Sequence, residues 1–474
     1  MLYVTENNKN PLYLPARFIL AFLANIGLAI VYGLKVNINV TMVAMVNHSA
    51  AQGVEHNVLD GNITNRQLGC PPPSDTSPNQ LAEDGPFTWS DTLQGTLLSS
   101  YFWGYMVSQI PLARLAEVYS AKWVFLGAAA VNVICSLLTP ILTNLHFSGL
   151  IVMRVLQGVA GGAAFPAVHI LIAKWAPQNE RLLIVTLIYL GTTVGTTISI
   201  FLSGVISVQF GWEAVFYIMG GLSIIWIILW IFLVQDNPDG QVLMSNKERT
   251  MIKKSLAEIR PKSQVPWRKI FKSNAFWAIL IAHTCNNFGF YMFLIGIPFY
   301  MKQVLNFNIS KNALYSSIPH IPMLIFSISL SKLFDVLQSR QKIKRITARK
   351  ISTVISTIVP GVCLVGMCFI GCLHYTAVVI MSVGIIAGGA SYCGFLSNHM
   401  DISPNFAGTL MALTNTVATI PGIALPQLVG YITNGNQTIH AWRLIFGLTN
   451  VMYFVELVTY TIMATAEVQP WNDG

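Results

Sequence analysis

Charge is what this sequence has least of. Only 10% of its 474 residues are Asp, Glu, Lys or Arg, against 54% that are hydrophobic. A soluble globular chain carries roughly 25% charged residues, so this one cannot clothe itself in a water-facing surface. Catalytic signatures are missing as well. There is no nucleophile elbow, no phosphate-binding GxxxxGK[ST] loop and no HExxH pair, and the nine histidines are scattered without ligand spacing. An enzyme is not expected, and no cofactor beyond a coupling ion. The formal charge of +9 sits in loops, which suits an anionic lipid surface and gives no reason to expect nucleic acid as a partner.

What the chain has instead is long apolar runs. A hydrocarbon core about 30 Å thick takes roughly 20 apolar residues per crossing helix. Such runs fall at 18–46, 93–113, 123–143, 149–173, 183–208 and 214–234, and again at 275–300, 313–333, 351–372, 375–397, 408–431 and 442–464. The first run is too long for the apolar region of a cleaved signal peptide. The expectation is an all-α membrane protein with the major facilitator fold, twelve transmembrane helices in two six-helix halves. Residues 1–234 form the first half, with an external loop at 47–90; 235–274 form a basic cytosolic linker; 275–474 form the second half. A single chain of this kind is expected to work as a monomer in the lipid bilayer.

Two counts orient it. With the N- and C-termini in the cytosol, 22 of the 28 Lys and Arg residues face the cytosol and three (Arg66, Lys302, Lys311) face outward, as the positive-inside rule requires. The N-x-[ST] acceptors Asn47, Asn62, Asn308 and Asn436 all fall on the outer side and are glycosylation candidates. A fifth match, Asn39, lies inside the first run. The long outer loop and its acceptors fit a plasma membrane better than a lysosomal or vesicular one.

Of seven cysteines only Cys70 lies in a large external loop, and the other six, Cys372 included, lie in apolar runs. Buried free thiols are therefore expected, without a disulfide. The linker holds nine Lys or Arg residues, and Ser245 with Glu248 has capping-box spacing for a short surface helix. Glycine pairs such as Gly158 and Gly162 allow close helix packing.

Particular words in the sequence point further. YGLKVNINVTMVAMV from Tyr32, YFWGYMVSQIP from Tyr101, FPAVH from Phe165 and NHMDISPNFAGTLMALTNTVATIPG from Asn398 run in order along the chain. They resemble the anion:cation symporter branch of the major facilitators, which includes sodium-phosphate cotransporters, sialin and the vesicular glutamate transporters. Within that branch the sequence looks most like insect proteins named for inorganic phosphate cotransport. The resemblance covers essentially the whole chain and implies alternating access with a small anionic substrate and a coupling cation.

The departures bear on mechanism. Proton-coupled relatives carry a fourth-helix pattern like R-x-L-E-G-x-G-E-G; here Arg154 is followed by Gln157 and, at the second glutamate position, Gly161. Neither can titrate, so sodium is expected as the coupling ion ahead of the proton. Where relatives carry a first-helix arginine this chain has Lys35, which keeps the charge but loses the planar fork that suits a carboxylate. Phosphate is thereby favoured over an acidic sugar or carboxylate. Asn286 stands where glutamate carriers show an arginine, and the turn after the second helix, 112–122, has lost the family's glycines. A diverged relative that no longer transports is a further alternative.

A charge inside a membrane helix is costly, and is a functional candidate by default. Lys35, Arg154, His169, Asn286 and Tyr291 are the substrate-binding candidates. Arg154 is close enough to the helix start to reach the outer interface instead. The resemblance links His169 to coupling. His283, Asn287 and Tyr291 recur at helical spacing on one face, either as a polar cavity wall or as an interhelical seam. His169, Asn398, Asp401, Asn415 and Thr416 are the ion-coupling candidates, with Asp401 fitting a loop anchor better than a sodium ligand.

Overall fold

The computed structural model describes residues 15–47, 70–71, 85–177, 181–241, 244–257 and 265–473. Among them the regular structure is helical, and one isolated bridge joins Val46 to Phe87. Eleven helices are long and apolar enough to cross a membrane. The twelfth expected span, Asp91–Val118, is helical too but more polar, because it buries Gln94, Ser99, Ser100, Ser108 and Gln109.

Before the linker the spans are Ala16–Met45, Asp91–Val118, Ala121–Leu145, Phe147–Trp175, Ile184–Phe210 and Trp212–Leu233. After it come Asn274–Gln303, Ile309–Ser339, Arg345–Met367, His374–Ile402, Ala407–Thr433 and Ile439–Met463. We number them one to twelve. The ends carrying Ala16 and the linker are the linker side, and the opposite ends are the loop side.

Two spans are interrupted where they matter. The seventh widens into a π turn at Met292–Gly296, a device that shifts helix register and recurs at functional sites. The eleventh breaks between Val417 and Ile420, ahead of Pro421, and the freed Ala418 carbonyl accepts from Asn287 Nδ2 at 2.8 Å. The Gly422 N–H, which would close an α turn on Ala418, goes to the Thr419 carbonyl at 2.9 Å instead, so the Ala418 carbonyl is left for a side chain. The expected exposed carbonyl exists, but an amide holds it.

The ninth span ends at Met367, short of the expected 372, in a turn that puts Gly371 at φ +57°. Cys372 is therefore outside the helix. It forms a disulfide with Cys70, which corrects the expectation of free thiols only. The other five cysteines are free. The bond fastens the long loop of the first half to the second half, where the Cys70 N–H also donates to the Val304 carbonyl at 2.8 Å.

On the linker side, Ser245 caps the helix Asn246–Ala257 by accepting from the Glu248 N–H at 3.1 Å. Glu248 does not close the capping box. Its carboxylate turns to the first span, accepting from the Ala16 N–H at 3.1 Å and Arg17 Nη1 at 2.9 Å. The glycine-poor turn after the second span is organised by Asp236, which accepts from Ser120 Oγ at 2.9 Å, from the Lys122 N–H at 3.0 Å and from Lys174 Nζ. Burial alone would raise the Asp236 carboxyl, but these donors and the Lys174 charge hold it below its ordinary value.

The halves close on the loop side. A Cβ on Gly95 would lie 2.2 Å from the Pro426 carbonyl oxygen, and one on Gly204 would lie 2.2 Å from Ala313 Cβ. Gln437 donates to Asp91 at 2.9 Å and Gln427 to Ser99 at 3.2 Å across the same seam. Toward the linker side, His169 of the fourth span and Gly408 of the eleventh face each other across the halves, and both are exposed. The halves meet there too, since a Cβ on Gly408 would lie 3.7 Å from His169 Cδ2, but less tightly than at the loop-side seam.

Candidate functional site

Lys35 lies two-thirds of the way along the first span and is 7% exposed. Its ammonium is ringed by aromatics. The centroids of Tyr32, Tyr101, Phe102, Tyr105 and Tyr291 stand 5.0, 5.3, 4.8, 5.3 and 5.8 Å from Nζ. Helical spacing delivers them. Tyr32 is three residues before Lys35, Tyr101 and Tyr105 are four apart on the second span, and Tyr291 precedes the π turn of the seventh. Ring faces attract a cation and offset part of its lost hydration. They do not satisfy its three N–H donors, and no carboxylate or hydrogen-bond acceptor meets Nζ among the described residues.

Arg154 stands behind it. The guanidinium is 2% exposed and donates to the Leu34 and Lys35 carbonyls at 3.3 and 2.8 Å and to Gln157 Oε1 at 2.9 Å. It does not reach the outer interface. Gln157, where relatives have a glutamate, supplies an acceptor without a negative charge, and its own amide donates to the Asn132 carbonyl at 3.3 Å. The second missing glutamate has a steric counterpart. A Cβ at Gly161 would be 2.1 Å from the Tyr101 hydroxyl, so the ring occupies the space an acidic side chain would need. Two basic groups therefore share a cavity with Val36, Asn39, Leu98, Phe102, Leu294 and Ile295, and no acid opposes them among the described residues. A buried cation pair of this kind attracts an anion small enough to enter.

The other candidates separate. Asn415 joins the site, donating to Gln109 Oε1 at 3.1 Å and to the Tyr105 hydroxyl at 3.4 Å. His169 hydrogen-bonds Tyr189, whose ring meets Phe165 at 5.4 Å, which in turn meets Tyr32 at 5.7 Å. It is exposed toward the linker side, one aromatic chain away from Lys35. Asn286 is not in the cavity. Its amide is spent on Glu456 of the twelfth span, at 3.1 and 3.2 Å from the two oxygens, a contact available because position 286 faces the last helix and not the first. His283 and Asn287 form the seam with the eleventh span, His283 meeting Thr414 Oγ1 at 3.1 Å.

Asp401 is a structural anchor, accepting from Arg349 Nε at 2.7 Å. Asn398 is fully buried against Tyr460, and the Thr416 hydroxyl bonds back to the Ala412 carbonyl at 2.9 Å. Of the glycosylation candidates, Asn436 is exposed. Asn308 is 7% exposed and caps a helix by accepting from the Lys311 N–H at 2.8 Å, which leaves no room for a glycan. Asn47 pairs its backbone with Phe87 at 2.8 Å, and Asn62 lies outside the described residues.

Comparison with known proteins decides the family. The Major Facilitator Superfamily pattern matches residues 17–426. This chain belongs to the Major Facilitator Superfamily. Human sialin is 35% identical over 465 residues, covering 97% of this chain and 92% of sialin. A Drosophila melanogaster protein named for inorganic phosphate cotransport is 33% identical over 466 residues, covering 96% and 86%. Among solved structures, a D-xylose-proton symporter has a TM-score of 0.66 at 13% identity, covering 95% of this chain and 98% of that one. That likeness carries the fold. The superfamily member described here is a multi-pass membrane transporter and not an enzyme.

The cage was partly hidden in the sequence. Tyr32, Tyr101, Phe102 and Tyr105 were on view in the family words, yet five aromatics from three spans meet only once the helices pack. Glu456 had a plainer signal that the sequence reading passed over: an acidic residue in the last apolar run.

Proposed function

We propose that this chain carries a small anion across its membrane by alternating access, with Lys35 as the cation that receives it. The observation that carries this reading is the Lys35 ammonium, buried among tyrosines beside Arg154 with no acid facing it among the described residues. A compact ammonium held among tyrosine rings suits a tetrahedral oxyanion, which supports inorganic phosphate as the first substrate to test. The relative named for phosphate cotransport supports the same choice. An acidic sugar or a carboxylate is the second reading, favoured by the likeness to sialin.

Closure on the loop side and exposure of His169 on the other support one end-state of a rocking cycle. We read the linker side as cytosolic and the membrane as the plasma membrane, on the loop charges and the exposed Asn436. Sodium as coupling ion rests on Gln157 and Gly161, which cannot titrate; the buried Glu456 carboxyl of the twelfth span favours the proton. The test is uptake of labelled phosphate, glutamate and glucuronate by proteoliposomes, under an inward sodium gradient or an inward proton gradient. Phosphate accumulation is the expected result. Binding of anion without flux would instead indicate a relative that no longer transports.

A further inference from the structure

Glu456 lies where a negative charge is least supported. It is 0% exposed in the twelfth span, and its carboxyl faces the seventh and ninth spans. Asn286 Nδ2 from the seventh span donates to both of its oxygens. The Thr357 hydroxyl of the ninth span lies against it, but that hydroxyl donates its one hydrogen to the Thr353 carbonyl at 2.6 Å, so toward Glu456 it can only accept. The titratable groups that face the carboxyl are Cys285 of the seventh span and Tyr453 of its own helix, with Cys363 of the ninth beside Tyr453. The eleventh span presents none to it, and no cation opposes it among the described residues.

An ionised carboxylate here would be compensated by one amide alone, far too little for a buried charge. With a proton every partner is satisfied: the carboxyl donates to Thr357 and accepts from Asn286.

The same helix links this carboxyl to the anion site. Asn286 holds Glu456, Tyr291 lies five residues further along in the Lys35 cage, and the π turn at Met292–Gly296 follows directly. Between them Gly289 packs on the Tyr453 hydroxyl so tightly that a Cβ would lie 1.9 Å from it. The segment from Asn286 to Tyr291 is thus keyed to the twelfth span. A register change at the π turn, driven by an anion at Lys35, moves Tyr291 and Asn286 together.

We propose that Glu456 is the proton-binding site of this transporter. It holds a proton in the present conformation. When movement of the seventh span admits water, which favours the charged form, the carboxyl O–H bond breaks, the proton passes to that water and the carboxylate remains. This rests on the transport reading above and assigns its coupling to a residue far from the fourth-span positions that cannot titrate.

Glu456→Gln keeps the shape and the neutral state but cannot release a proton. In proteoliposomes preloaded with unlabelled phosphate, exchange for labelled phosphate needs no net proton movement, whereas accumulation driven by an inward proton gradient does; glutamate and glucuronate are run in parallel. The expected result is exchange within about twofold of wild type with proton-driven accumulation abolished. Accumulation by Glu456→Gln at the wild-type level would overturn the proposal and leave the carboxyl a packing group. So would wild-type accumulation that ignores the proton gradient, although exchange would still uphold transport. Absence of exchange in the wild type would sink the transport reading itself. If the Gln variant loses exchange as well, Glu456→Asp decides: proton-driven accumulation regained supports the proposal, and its continued absence overturns it.

Discussion

Arg154 Nη2 donates to the main-chain carbonyl of Lys35 at 2.8 Å, so one buried cation fixes the backbone that presents the other. The two have different work. Lys35 projects into the aromatic cage, while Arg154 spends its donors on Leu34, Lys35 and Gln157. Replacing Arg154 by Gln removes charged hydrogen bonds to two main-chain carbonyls and to Gln157 in a dry interior, where such bonds are worth about 1.5–3 kcal/mol each. Arg154→Gln is expected to lower stability by about 3 kcal/mol or more, read as a fall in the thermal midpoint in detergent. Lys35→Gln, which strands no partner, is expected to leave that midpoint unchanged or raise it.

The cage predicts a division between ring and hydroxyl. Tyr291→Phe keeps the ring near Nζ and removes one donor for an incoming oxyanion. A lost hydrogen bond of about 1 kcal/mol corresponds to roughly a fivefold rise in KM for phosphate, with maximal rate and thermal midpoint unchanged. Tyr291→Ala, which opens the cage, is expected to lower both. Equal effects of the two substitutions would mean that the hydroxyl plays no part.

Closure of the loop side depends on glycine at the seam. A side chain at Gly95 collides with the Pro426 carbonyl in this conformation, and overpacking of this kind costs about 1–3 kcal/mol. Gly95→Ala therefore shifts the population toward a loop-side-open form. A cysteine at Leu98, which lines the cavity, is expected to react several times faster with an impermeant thiol reagent in the Gly95→Ala background than without it. Identical rates would show that the seam relaxes around the methyl group.

Asp236 ties the start of the third span, the end of the fourth and the end of the sixth together, and its carboxyl is held below its ordinary value. The folded state binds that proton less tightly than the unfolded chain does. Its contribution to stability is then fully present above the ordinary carboxylate range and is lost as pH falls through the depressed value. Asp236→Asn is expected to lower the thermal midpoint at pH 7 and to flatten its decline on acidification. A midpoint difference that stays constant down to pH 3 would contradict this.

Much of the fold was legible because membrane helices are written in long apolar runs that need no partner to be recognised. Lys35 was legible for the converse reason, a charge inside such a run. What escaped depended on contacts between distant segments. Cys372 looked buried because the ninth run continues past the residue where the helix stops, and 302 positions separate it from Cys70. Asn286 and Tyr291 are only five residues apart on one helix, yet they serve different neighbours; periodicity places a residue on a face without saying what that face meets. Asn398, Asp401 and Thr416 were candidates by chemistry alone; Asp401 and Thr416 find partners within the second half, and Asn398 is buried there with neither amide atom hydrogen-bonded among the described residues.

The central claim is that Lys35 receives the anion. Its most direct test is exchange of labelled phosphate by proteoliposomes containing Lys35→Ala or Lys35→Arg, beside the wild type. Loss of a buried charge that meets an oppositely charged ligand typically costs 2–5 kcal/mol, so Lys35→Ala is predicted to reduce exchange by about 30-fold or more while keeping the wild-type thermal midpoint, and Lys35→Arg to retain a measurable part. Undiminished exchange by Lys35→Ala would contradict the account and place the substrate elsewhere.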